Sequence, residues 1–186
     1  MIFTFPNDRQ FDIMDCGPAC LKMIAKHYGK YYSLQYLRDK CGTTKEGASF
    51  LDLSHAAEAI GLRSLSLKIN LDFLITKVPL PVIVHWDNSH FVIVYKTNPK
   101  TGSIYVSDPA KGRIKYSSKE FSKKWIKNNA DGDNGMLMAF EPQADFHQRN
   151  ISEKLNRKKT FGNFLNYFKP YKKSFAVLLV VMFIVT

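Results

Sequence analysis

QFDIMDCGPACLKMIAKHYG, residues 10–29, marks both ends of a helix and puts a cysteine at its start. Asp15 is a plausible N-cap, Pro18 falls within the first turn and Gly29 follows as the C′ residue, so the spacing predicts a helix from about Cys16 to Tyr28. A second helix is expected after Ser33, with Leu34, Leu37 and Cys41 on one stripe. A third follows Ser49, turns Leu53, Ala56, Ala57 and Ile60 inward and stops at Gly61. Beyond Gly61 the period changes to alternation at Leu65, Leu67 and Ile69, then to the β-rich runs PVIVHW, HFVIVYK, SIYVSD, GRIKY and MLMAF. One short helix interrupts these strands, with Ser117 and Glu120 at capping-box spacing and Phe121 and Trp125 at i and i+4. Helices first and mostly antiparallel strands afterwards predict an α+β domain in which N-terminal helices pack on an antiparallel sheet.

The 186 residues are 45% hydrophobic and 23% charged, which excludes disordered and low-complexity classes. The formal charge of +11 invites a nucleic-acid partner, but its distribution argues against one. Residues 149–173 carry eight basic side chains against one acid, leaving 19 basic and 15 acidic side chains, only +4, in residues 1–148. The basic segment runs into FAVLLVVMFIVT, residues 175–186. Twelve helical residues reach about 18 Å, short of a hydrocarbon core of about 30 Å. Lys and Arg ahead of an apolar run favour a cytoplasmic N-terminal side. The expected organisation is a domain over 1–145, a charged linker over 146–160, and over 161–186 a juxtamembrane segment that begins a truncated first transmembrane helix. A buried or peripheral C-terminal helix is the alternative. The three cysteines, Cys16, Cys20 and Cys41, make no disulfide framework, and no secretory signal precedes Asn7, so the domain is placed in a reducing cytoplasm.

Cys16 opens its helix, where unpaired backbone N–H groups and the positive end of the macrodipole favour a thiolate, the nucleophilic form. The bland reading is a small core hydrophobe. A redox role fails on spacing, since CGPAC has three residues between its cysteines, where CxxC has two. Cys16, Cys20, His27 and Cys41 repeat no structural zinc spacing, and His27 reads as the last-turn cation of its helix. A thiolate needs a proton-transfer partner that is itself oriented. His90 opens the strand HFVIVYK and Asp108 ends SIYVSD. A five-residue loop over Thr97–Thr101 pairs Lys96 with Gly102 and places His90 opposite Asp108 on one face; a two-residue slip leaves them diagonal neighbours on that face. Asp108 also reads as a turn residue before Pro109. His85 competes with His90 from across the break DNS, where loop arithmetic does not reach.

As an ordered set, residues 10–29 with GASFLDLSHAAEAIGL, PVIVHWDNSHFVIVY, IYVSDPAKG and EFSKKW resemble the bacteriocin-processing, double-glycine leader peptidase domain. That family is the papain-like cysteine peptidase at the N-terminus of peptidase-containing ABC transporters, and the resemblance runs from about Gln10 to Pro142. It implies Cys16 as nucleophile, His90 as general base and acid, Asp108 as the residue orienting the imidazole, and Gln10 as an oxyanion-hole donor. Without it, Gln10 reads as a solvated loop side chain. The resemblance further implies hydrolysis after a Gly-Gly type pair ending a leader peptide, with the leader bound as an amphipathic helix, and the rest of a homodimeric ABC transporter as partner. The alternative within the resemblance is a non-catalytic module that only docks the leader. The expected location is the cytoplasmic face of the bacterial cell membrane. No cofactor is expected for the peptidase, and ATP only for a transporter part absent from this chain, which has no G-x-x-x-x-G-K-[ST] loop. A fragment and a separate truncated product both fit. KNNADGDNG, residues 127–135, is longer and more polar than the resemblance leads one to expect.

Overall fold

The computed structural model describes residues 5–87, 89–126 and 133–148. The first helix, α1 (Cys16–His27), has nearly its predicted bounds, and Gly29 takes φ 86 after it, the left-handed conformation that ends a helix. Its start differs in one respect. Asp15 makes no cap, because a 3-10 turn, Ile13–Asp15, precedes α1 and puts Asp15 itself in helical conformation. Asp12 caps that turn in a reciprocal box: its carboxylate accepts from Met14 N–H, and its own N–H donates to Asp15. The helices α2 (Leu34–Lys40) and α3 (Phe50–Ala59) follow, capped by Ser33 and Ser49 as expected. Leu53, Ala56, Ala57 and Ile60 are fully buried, as their spacing requires.

The strands β1 (Leu62–Asn70), β2 (Val82–Trp86), β3 (His90–Asn98), β4 (Ser103–Asp108), β5 (Gly112–Ser117) and β6 (Asn134–Pro142) form one antiparallel sheet in the order β1-β6-β2-β3-β4-β5. A helix that the sequence reading overlooked, α4 (Leu71–Thr76), follows β1, capped by the Asn70 side chain on Phe73 N–H. The predicted short helix is α5 (Ser118–Trp125), with its Ser117–Glu120 capping box in place. The strand residues alternate between two cores. Ile83, Phe91, Ile93 and Met138 face α1 and its neighbours, whereas Val84, Val92, Val94 and Val106 face Leu74, Phe121 and Trp125.

The β3–β4 hairpin differs in register from the sequence expectation. Asn98 pairs with Ser103 and Lys96 with Tyr105, not with Gly102. The Asn98 side chain accepts from Lys100 N–H and Gly102 adopts φ 61, which closes a four-residue loop and lengthens both strands. A β-bulge between Val94 and Lys96 then shifts the pairing by one residue, to Val94 with Val106 and Ile93 with Ser107. Continued from there, Asp108 falls opposite Val92, two residues from His90. This is the diagonal relation.

The packed body includes Phe146, the first residue of the expected linker. Phe146 is fully buried, edge-on to Tyr28 at 6.4 Å and covered by the Lys30 ammonium at 5.2 Å. The remaining expectations for the linker and for residues 161–186 lie outside the described residues. Truncating Phe146 to Ala should lower the free energy of unfolding by about 3 kcal/mol, read from the urea midpoint. An unchanged midpoint contradicts this packing.

Candidate active site

Three chain segments meet at the end of the sheet where α1 begins. The first is the helix start. Cys16 is 5% exposed, and Gly17 beside it lets α1 sit directly on β3. A Cβ on Gly17 would stand 3.2 Å from Leu53 and 3.4 Å from the Phe91 ring, so a side chain there would crowd the Leu53 methyl and sit in contact with the histidine's strand. Asp15, wholly buried, is held by the Arg38 guanidinium at 3.1 Å and accepts the Asp12 N–H at 3.1 Å. That pairing answers the cost of a buried carboxylate and ties the turn before Cys16 to α2. Sequence reasoning missed Arg38, because nothing in a helical stripe tells which basic residue turns inward.

The second segment is the hairpin. His90 Nε2 lies 2.9 Å from Asp108 Oδ1, and the same oxygen accepts the Ala110 N–H at 2.8 Å. With Nε2 engaged, Nδ1 is left for Cys16, whose side chain also hydrogen-bonds the ring. Burial disfavours the charged imidazole, but the hydrogen bonds and negative charges of Asp108 and Cys16 outweigh it and raise its pKa to about 9. Burial likewise opposes ionisation of Asp108, while His90 and the N–H groups of Ala110 and Lys111 overcome it and hold the carboxyl below its ordinary value. A protonated ring therefore donates to both neighbours at neutral pH.

The third segment carries Gln10. Its N–H donates to the Pro109 carbonyl at 3.0 Å, which anchors it beside Asp108. Its side-chain Oε1 is buried without a hydrogen-bond partner among the described residues. Gln10 is thus half-buried at the site and is not the solvated loop residue that it otherwise resembled.

His85 does not share this arrangement. It stacks on Phe91 at 4.9 Å and meets Phe50 edge-on at 5.7 Å, and burial followed by the His90 charge lowers its pKa. It lines a cleft of about 340 Å³ with Gly47, Ala48, Phe50 and Phe91, and Ala48 and Phe91 are also the residues against Gly17. His27 is not the last-turn cation expected of it, since burial lowers its pKa and its ring lies against Phe5 at 5.4 Å.

A thiol at a buried helix start, an imidazole beside it and a carboxylate behind the imidazole, on an α+β frame, define a papain-like cysteine peptidase. The chain belongs to the Peptidase C39 family, whose model matches residues 4–130. It is 36% identical over 142 residues to the lactococcin-G-processing and transport ATP-binding protein of Lactococcus lactis, covering 74% of this chain and 19% of that one. It is 28% identical over 176 residues to the colicin V secretion/processing ATP-binding protein of Escherichia coli, covering 95% and 24%. The chain therefore spans about a fifth to a quarter of these curated relatives. Among solved structures, a double glycine motif protease from an AMS/PCAT transporter, in complex with the leader peptide, matches with a TM-score of 0.68 at 28% identity over 75% of this chain and 93% of that one. The peptidase domain of Streptococcus ComA, a bi-functional ABC transporter, matches at 0.66 and 28%, covering 75% of this chain and all of that one.

The raised His90 value has a thermodynamic sign. The folded state binds the proton more tightly than the usual 6.5, so the ion pair's contribution to stability is complete below about pH 6.5 and is lost as pH rises through about 9. In an NMR titration the His90 ring should keep its proton to about pH 9, and Asp108→Asn should bring the midpoint down towards 6.5. A midpoint unmoved by that substitution contradicts the pairing.

Proposed function

We propose that this chain is the peptidase part of a bacteriocin-type export system, cutting the leader from secreted-peptide precursors after a Gly-Gly type pair. The observation that carries this reading is the 2.9 Å bond between His90 and Asp108 at the start of a buried helix headed by Cys16. The same three groups argue against a module that only docks the leader, since docking needs no oriented thiol–imidazole pair.

In this reading the Cys16 thiolate attacks the carbonyl carbon of the second glycine. Negative charge moves to the carbonyl oxygen, where the Cys16 N–H and the Gln10 amide receive it. The His90 imidazolium gives its Nδ1 proton to the departing amide nitrogen, the C–N bond breaks and the mature peptide leaves with a new amino terminus. A thioester to Cys16 remains. Neutral His90 then takes a proton from water, whose oxygen attacks the thioester, and the Cys16 thiolate departs as the leader acquires its carboxylate. Asp108 holds the ring in line through both steps and balances its charge. Glycine at the cleavage site suits a narrow cleft that admits only a backbone without Cβ atoms, so that specificity arises from steric exclusion.

The names of the relatives, which join processing with transport, support a place at the cytoplasmic face of the cell membrane. There the C-terminal segment would attach the domain to the bilayer, and the rest of an ABC transporter, as a homodimer, would supply the ATP-binding part. The peptidase itself works without a cofactor. Cys16→Ala should reduce cleavage of a Gly-Gly leader peptide, followed by chromatography of the two products, to background, and persisting cleavage contradicts the assignment. Gln10→Ala should lower kcat about 100- to 1000-fold with KM little changed. A loss confined to KM would remove Gln10 from the oxyanion hole.

A further inference from the structure

Cys16 and His90 come from a helix and a strand, so their separation is set by how α1 is seated on β3. Most of that seat is apolar, with Leu21 and Ile24 buried in the same core as Ile93 and Phe91. Apolar burial is non-directional and does not define the height of a helix along a strand. Besides the reacting pair itself, one directional contact among the described residues joins the two elements at the level of the site: the Cys20 thiol donates to the Phe91 carbonyl, Sγ to O 3.3 Å. Cys20 stands one helical turn below Cys16, and Phe91 directly follows His90.

We propose that Cys20 is a positioning residue, whose S–H···O=C bond to Phe91 fixes α1 on β3 at the height where Cys16 meets the His90 imidazole. This rests on Cys16 and His90 being the reacting pair. Cys20 is fully buried and takes no part in the chemistry. Its thiol also remains a donor throughout the working pH range. Burial raises its pKa well above that of an ordinary thiol, and the negative charges of Cys16 and Asp108 add to this. Neighbouring Gly17 brings the helix close enough for the contact, with the Phe91 ring 3.4 Å from where its Cβ would stand. The bond is weak as a source of stability. Its effect is geometric, since a reacting pair misplaced by about 1 Å can lose about a hundredfold in rate.

The test compares Cys20→Ala, which removes the donor, with Cys20→Ser, which keeps one in nearly the same volume. Two quantities are read: the pH dependence of iodoacetamide alkylation at Cys16, mapped by mass spectrometry, and kcat and KM on a Gly-Gly leader peptide. In Cys20→Ala the pH of half-maximal alkylation should rise by about one unit, and kcat should fall about tenfold at unchanged KM. Cys20→Ser should recover most of both. A purely structural role would lower the urea midpoint and leave the alkylation profile where it was, and that result overturns the proposal. So does a serine variant no better than the alanine one. Alkylation needs no leader, so this arm judges the positioning role even if the wild-type chain leaves the leader uncut.

Discussion

The site depends on a single extra residue in a strand. The β3–β4 hairpin leaves its loop with Lys96 opposite Tyr105, and an unbroken ladder in that register would bring Asp108 opposite Ile93. Ile93 and His90 lie on opposite faces of β3, so the carboxylate would then point away from the imidazole. The bulge between Val94 and Lys96 adds the one residue that reverses this parity. Only after it do His90 and Asp108 share a face and reach the 2.9 Å bond. Every later property of the imidazole, its orientation, its charge and the nitrogen left for the thiol, follows from that shift.

Around this pair the chain supplies a frame that draws each element towards one end of the sheet. Gly17 lets α1 approach β3, Asp15 and Arg38 tie the preceding turn to α2, and the Gln10 N–H fastens that turn's approach to Pro109. Two acidic groups thus bracket the helix start in different roles. Asp15 is closed off by a guanidinium and serves the backbone, whereas Asp108 is spent on the ring and keeps it protonated at neutral pH. The electrostatics and the packing are arranged by the same few side chains.

Much of this was legible in the sequence, for reasons that are local. Pro18 and Gly29 bound α1 because their backbone restrictions act whatever the surroundings, and the Ser–x–x–Glu box at Ser117 needs only its own turn. Asp15 misled because an N-cap and a buried ion-pair partner look alike until Arg38 is in place. The hairpin was read with a loop one residue too long and without a bulge, and the true register emerged as the two-residue slip that preserves the face. Bulges answer to the cores above and below the sheet, to which a single strand's residues give no clue. Arg38, Cys20 and Phe146 were illegible on the same ground, since each acts through a partner distant in sequence. The basic excess, by contrast, could be divided by inspection, and the domain carries little of it.

Membership of the Peptidase C39 family and the likeness to double-glycine peptidase domains agree with this site, and the chain covers the peptidase portion of much longer relatives. The central claim is that, of three buried thiols, Cys16 alone is presented to a bound leader as a nucleophile. A leader peptide ending in a Gly-Gly vinyl sulfone tests it directly, because Michael addition leaves a permanent bond on whichever thiol attacks. Mass spectrometry of the digested chain should find one equivalent of leader on the peptide containing Cys16, at Sγ of that residue. Labelling of Cys20 or Cys41, or no adduct while the unmodified leader is still being cut, would contradict the account.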